Sequence, residues 1–140
     1  MSAGTGISHS EYNASPTEPV HFLQIWIIPD KAGLPPGYEQ RAFPVNEHQD
    51  RWILVASKGG RDGSVNVHQD ADVWTAGFSP GGQASIPLKP SRNIWTQVIR
   101  GAVMLNGTSL AAGDGAAIRE EQVLQVRAVE AAELLMFDLP

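Results

Sequence analysis

The sequence predicts an all-β domain, a sandwich or barrel of short strands, on three observations. Runs of β-branched and aromatic residues recur roughly every ten residues from Trp52 onward. Fourteen glycines and ten prolines are scattered through the 140 residues, punctuation that favours turns over long helices. Asn106-Gly107 lies between apolar flanks and marks a hairpin, because both turn residues accept positive φ.

Taken in order, residues 1–19 are rich in Gly, Ser, Thr and Pro and read as loop or edge strand. His21 to Ile28 (HFLQIWII) combines β-branched and aromatic residues, is stopped by Pro29, and predicts a strand. Asp30 to Asp50 contains Pro35, Pro36 and Pro44 and has no sustained period. It predicts a linker with at most a short helical turn over Tyr38 to Arg41. Strands are expected at Trp52 to Ala56, Ser64 to His68, Val73 to Phe78, Gln83 to Ile86 and Trp95 to Ile99. Val103 to Leu110 forms the Asn-Gly hairpin, and Gly113-Asp114-Gly115 turns the chain before Ala116 to Ile118. Val123 to Met136 is rich in Ala, Glu and Leu, so helix is the rival there by propensity. The alternation of Leu124, Val126 and Ala128 favours strands instead, at Val123 to Ala128 and Glu133 to Leu139.

Composition bounds the function. A length of 140 residues is enough for one domain with a real core. The net charge of −5 comes without a Lys/Arg cluster, so the footprint of a nucleic-acid binder is missing. There is no cysteine, which excludes disulfides and zinc-finger sites and suits a reducing cytosol. No signal peptide is apparent after Met1, and the apolar run near Ile25 to Ile28 is too short to span a bilayer. The expectation is a soluble cytoplasmic protein with neither membrane nor nucleic acid as partner.

His9 and Glu11 are the candidate chemistry. In extended chain, residues i and i+2 point to the same side, so an imidazole and a carboxylate would face one cavity. That donor pair suits iron, zinc or another divalent ion that accepts imidazole. Any His-x-Glu shares this property, and most such pairs are simply solvated. Ser8 and Ser10 flank His9 on the opposite side and have no nucleophile geometry. GRDG at 60–63 and PGG at 80–82 lack the strand–loop–helix context of a phosphate cradle and read as turns. His48 falls in the linker and is expected in water, and His68 is expected on the surface or against another domain. His21 opens a strand and reads as a packing or hydrogen-bonding residue, although a metal held by His9, Glu11 and His21 is conceivable. The four tryptophans (Trp26, Trp52, Trp74, Trp95) read as core or domain-interface residues.

The string around the pair, SAGTGISHSEYN, resembles the pirin-like proteins, including bacterial members described as quercetin 2,3-dioxygenases. The resemblance continues through HFLQIWIIPD (21–30), LPPGYEQ (34–40), RDGSVNVHQDADVW (61–74) and GDGAAI (113–118), and ends at LLMFDLP. It implies a cupin, a double-stranded β-helix or jelly-roll barrel. These proteins are two-domain cupins. The resemblance therefore implies that residues 1–30 are the remnant of an N-terminal cupin, 31–50 a linker and 51–140 the C-terminal cupin barrel.

The same resemblance makes His9 and Glu11 the third and fourth ligands of a mononuclear metal, with iron as the metal implied and Glu11 also a candidate base. The first two ligands would come from a His-x-His pair, and none occurs in this sequence. In the second barrel, the usual ligand positions before Gly101 fall in PLKPSRNI (87–94), where Lys89 and Arg92 are cations that cannot coordinate. Three functions follow. The first is a pirin- or quercetinase-like C-terminal cupin half, derived from a flavonol dioxygenase, with metal absent or weakly held and no activity alone. The second is an active metalloenzyme whose site a partner chain completes, and the third a non-catalytic interaction module. The strand at 21–28 would need cover from the missing N-terminal half, from the barrel or from a second copy in a homodimer.

Overall fold

The structure is a computed structural model that describes all 140 residues. Ten strands lie between residues 53 and 139: β1 (Ile53–Lys58), β2 (Val65–Val67), β3 (Asp72–Phe78), β4 (Gln83–Pro87), β5 (Asn93–Arg100), β6 (Ala102–Leu105), β7 (Thr108–Ala111), β8 (Gly115–Ile118), β9 (Val123–Ala128) and β10 (Ala132–Leu139). They form a six-stranded sheet in the order β2-β1-β3-β10-β5-β8 and a four-stranded sheet in the order β4-β9-β6-β7. The two sheets share no ladder, so the expected barrel is an open double-sheet jelly roll. All pairings are antiparallel except that of β1 with β2, which is parallel.

Alternation places the core. Leu124, Val126 and Ala128 of β9 are buried while Val123, Gln125 and Arg127 are exposed. Facing them are Ala76 and Phe78 of β3, Ile94 and Val98 of β5, and Leu134 and Met136 of β10, with Val103 and Leu105 of β6 beside β9. β10, paired on both edges by β3 and β5, buries Ala132, Leu134 and Met136 inward, while on its outer face Leu135 is buried and Phe137 half-buried. The helix that propensity allows across Val123 to Met136 does not form. Sequestering the alternate apolar side chains between two sheets outweighs a propensity difference of well under 1 kcal/mol per residue.

Turn chemistry sets the register. Asn106 and Gly107 have φ of 44° and 84°, as the predicted hairpin tip between β6 and β7 requires. Gly101 has φ of 75°, and a Cβ there would run into the Ala131 carbonyl, so the β5–β6 corner admits only glycine.

Two expectations fail. His21 to Ile28 is extended but is not a strand: no neighbouring strand exchanges backbone hydrogen bonds with it. β-propensity supplies a suitable surface, yet a ladder needs a partner. The helical turn expected at Tyr38 to Arg41 is absent, and a 3₁₀ turn forms instead at Val45–Glu47, just after Pro44. Glu39 and Arg41 are otherwise engaged. The Asn66 backbone N–H donates to Glu39 Oε2 at 3.0 Å, and Arg41 Nη1 donates to the Gly63 carbonyl at 2.8 Å. They thereby cover the outer edge of the six-stranded sheet beside β2. No helix is long and apolar enough to cross a membrane.

Candidate metal centre

His9 and Glu11 lie on an arm formed by residues 7–27. Its base is closed by a two-residue bridge: Ser2 N–H donates to the Gly37 carbonyl at 2.8 Å and Gly37 N–H returns to Ser2 at 3.0 Å. Thr5 N–H adds a bond to Leu34 at 3.0 Å. Beyond the pair the chain turns at Asn13–Glu18, where Asn13 Nδ2 donates to the Glu18 carbonyl at 2.7 Å and Ser15 Oγ accepts from Glu18 N–H at 2.9 Å.

Between these fixed points His9 and Glu11 are neighbours, although the segment is not a strand. His9 Nδ1 is 3.9 Å from Glu11 Oε1, and both side chains are open to solvent, 39% and 53% exposed. With bonds of about 2.1 Å, an ion shared in tetrahedral or cis-octahedral geometry needs the two atoms about 3.0–3.4 Å apart, so these exposed side chains would have to close by about half an ångström to hold one together. The set stops there. No third histidine, aspartate or glutamate joins to make a group of three. His21 is instead beside Arg100, its Nδ1 3.4 Å from Nη2, so the conceivable third ligand is turned to another partner. His48 Nδ1 pairs with Arg51. His68 is half-buried and uses its carbonyl to accept the Asp30 N–H at 2.7 Å.

The arm's outgoing end is fastened by charge. Lys58 Nζ donates to Asp30 Oδ2 at 2.6 Å, which holds the Asp30 carboxyl below its ordinary range and raises the Lys58 ammonium in return. Glu39 is held low by the Asn66 N–H and then by Arg41. Between the arm and the outer face of the six-stranded sheet runs a groove of about 460 Å³, with Leu23 and Ile25 on one side and Trp95, Leu135 and Phe137 on the other. Phe22 and Trp26 of the arm, and Ile28 just beyond it, face outward and are 62%, 86% and 82% exposed. Trp26 is thus no core residue in this chain, whereas Trp52 and Trp74 pack against the core and Trp52 meets the Phe78 ring edge-on at 6.3 Å.

The sandwich interior is a different environment. Its lining is aliphatic and aromatic, and its partnerless polar atoms are Thr96 Oγ1, Trp52 Nε1 and Trp74 Nε1, which make no metal-ligand set. In the stretch 87–94, Arg92 does something that local sequence could not reveal. It is 15% exposed and binds Asp138 and Asp70, which lie 46 and 22 residues away. Burial works against its charge, but the two carboxylates raise its pKa further.

Two families of known proteins match different parts of the chain. Residues 54–139 match the family described as the quercetinase C-terminal cupin domain, and residues 1–27 match the pirin family. The chain belongs to the quercetinase C-terminal cupin family. It is 44% identical to a quercetin 2,3-dioxygenase of Escherichia coli K12 over 140 residues, 100% of this chain and 59% of that relative. A pirin-like protein of Caulobacter vibrioides is 35% identical over 139 residues, covering 99% of this chain and 60% of its own length. Among solved structures, the bacterial pirin YhhW of Escherichia coli in complex with nickel(II) superimposes with a TM-score of 0.76 at 39% identity, over 82% of this chain and 48% of that one. The chain therefore spans about three-fifths of the length of these relatives. The pirin match includes His9 and Glu11, and the cupin match includes the entire sandwich except its first residue, Ile53.

Proposed function

We propose that this chain is the C-terminal cupin half of a quercetinase-like metal-dependent dioxygenase, carrying half of the metal site on its arm. The single observation that carries the reading is the His9–Glu11 pair, 3.9 Å apart, within a segment that matches the pirin family. His9 would bind a divalent ion through a neutral imidazole nitrogen, and Glu11 would add charge as a ligand and serve as a base for a phenolic proton. A bound ion would supply open positions for substrate and dioxygen. Two donors leave its remaining positions to water, so the isolated chain holds metal weakly and oxidises no flavonol.

Completion requires donors from outside the chain. The part of the relatives' length that this chain does not span is the natural source. The arm is suited to receive it, because its backbone is unpaired and Phe22, Trp26 and Ile28 present an apolar surface beside that free backbone. The test is quercetin consumption in the presence of iron or nickel, with the chain alone and then mixed with the N-terminal part of the Escherichia coli relative. Activity in the mixture that is lost in His9→Ala and Glu11→Ala supports the proposal. Activity in the mixture that survives both substitutions contradicts it.

A further inference from the structure

The loop between β2 and β3 is short and has two sides. On one side it holds the end of the arm: His68 accepts the Asp30 N–H at 2.7 Å, and Gln69 Nε2 donates to the Ile28 carbonyl at 2.8 Å. On the other side it is held by Arg92, whose Nη1 donates to Asp70 Oδ2 at 2.8 Å and whose Nη2 donates to the Asp70 carbonyl at 3.3 Å. The same guanidinium reaches the end of β10, with Nε on Asp138 Oδ1 at 2.5 Å and Nη2 on the Asp138 carbonyl at 3.0 Å. All three nitrogens are thus used on four acceptors. Within the loop, the side-chain bond is a local one, from Asp70 N–H to Gln69 Oε1 at 2.8 Å. His68 and Gln69 are half-buried and Asp70 is exposed, whereas Ala71 at the end of the loop is buried, so packing anchors residue 71 and leaves 68–70 to other contacts.

We propose that Arg92 is a positioning residue: by clamping Asp70 against Asp138, it fixes the 68–70 loop and, through that loop, the place where the His9–Glu11 arm leaves the sandwich. In the stretch where the resemblance puts the second barrel's metal ligands, the chain carries a cation that cross-links three segments. The role needs the planar fork of an arginine, because a lysine ammonium is a single point that cannot span both carboxylates and both carbonyls. Lys58, 59% exposed, ties Asp30 independently but weakly, since exposed ion pairs contribute little.

The experiment is amide hydrogen exchange on the full 140-residue chain, read at Asp30 and at core amides of β6 and β9. Asp70→Ala removes the carboxylate contact and leaves only the 3.3 Å bond to the residue-70 carbonyl, while the Arg92–Asp138 bridge, and hence the fold, remains. Asp30 exchange is expected to accelerate about tenfold, as for loss of one charge-assisted hydrogen bond, with core amides unchanged. Asp70→Asn keeps an acceptor oxygen and should restore most of the protection, whereas Arg92→Lys should behave like Asp70→Ala. Unchanged Asp30 protection in both Asp70→Ala and Arg92→Lys overturns the proposal. So does equal acceleration in the core, which would make the effect one of global stability, and so does failure of Asp70→Asn to restore protection. The readout involves no metal, so it is decided separately from the metal reading.

Discussion

Leu124 is fully buried where β9 meets the six-stranded sheet, and its side chain is among the largest with no solvent contact. Leu124→Ala should destabilise the domain by about 2–5 kcal/mol through lost burial and a residual cavity. A loss of unfolding free energy below about 1 kcal/mol in denaturant melts would mean that the site collapses around the missing atoms. Asp30 gives a pH-dependent counterpart. Its carboxyl is held below the ordinary 3.8 by Lys58, so the contact contributes fully above that value and is lost as pH falls through the lower folded pKa. Lys58 is raised above 10.5, so the pair persists at high pH until that raised value is passed. The Asp30 carboxyl resonance should therefore titrate below the ordinary 3.8, and in Lys58→Ala it should return towards that value. A parent carboxyl that titrates at or above 3.8 would show that Lys58 does not hold the arm's root.

At the scale of elements, the β6–β7 hairpin joins a turn to a clasp. Asn106 Oδ1 accepts Gln125 N–H at 2.7 Å and Nδ2 donates to the Val123 carbonyl at 3.1 Å, so the tip is stitched to β9. Asn106→Ala should cost about 1–3 kcal/mol, from two hydrogen bonds and a side chain that tolerates positive φ less well. Asn106→Gly keeps the turn and loses only the clasp, so it should fall between, by thermal melts. The dipeptide made the turn legible in the sequence, but not the clasp, whose partners lie 17 to 19 residues away. The same contrast runs through the fold. Leu124, Val126 and Ala128 announced their strand by alternation, since period and burial coincide in a half-buried strand. His21 to Ile28 carried an equally strong local signal and made no strand, because pairing depends on what lies beside a segment. Arg92 is the extreme case: its partners, Asp70 and Asp138, carry no local mark. For His9 and Glu11, the spacing and the surrounding string were legible, whereas the company they keep depends on tertiary neighbours that no spacing encodes.

For the whole molecule, a complete sandwich core supports an arm whose apolar outer side and His9–Glu11 pair are open to solvent. The sandwich should fold and melt as a unit, and His9→Ala should leave its stability within about 0.5 kcal/mol of the parent, since the residue is exposed and holds no core contact. The half-site reading proposed above needs a scaffold that folds without metal and an arm that further donors can reach. The measurement that tests it most directly is metal stoichiometry of the purified chain after incubation with iron or nickel and removal of excess. The account predicts well under one ion per chain, with His9→Ala and Glu11→Ala changing little. One ion retained per chain, and lost in either variant, would show that the chain completes its own metal site and would contradict it.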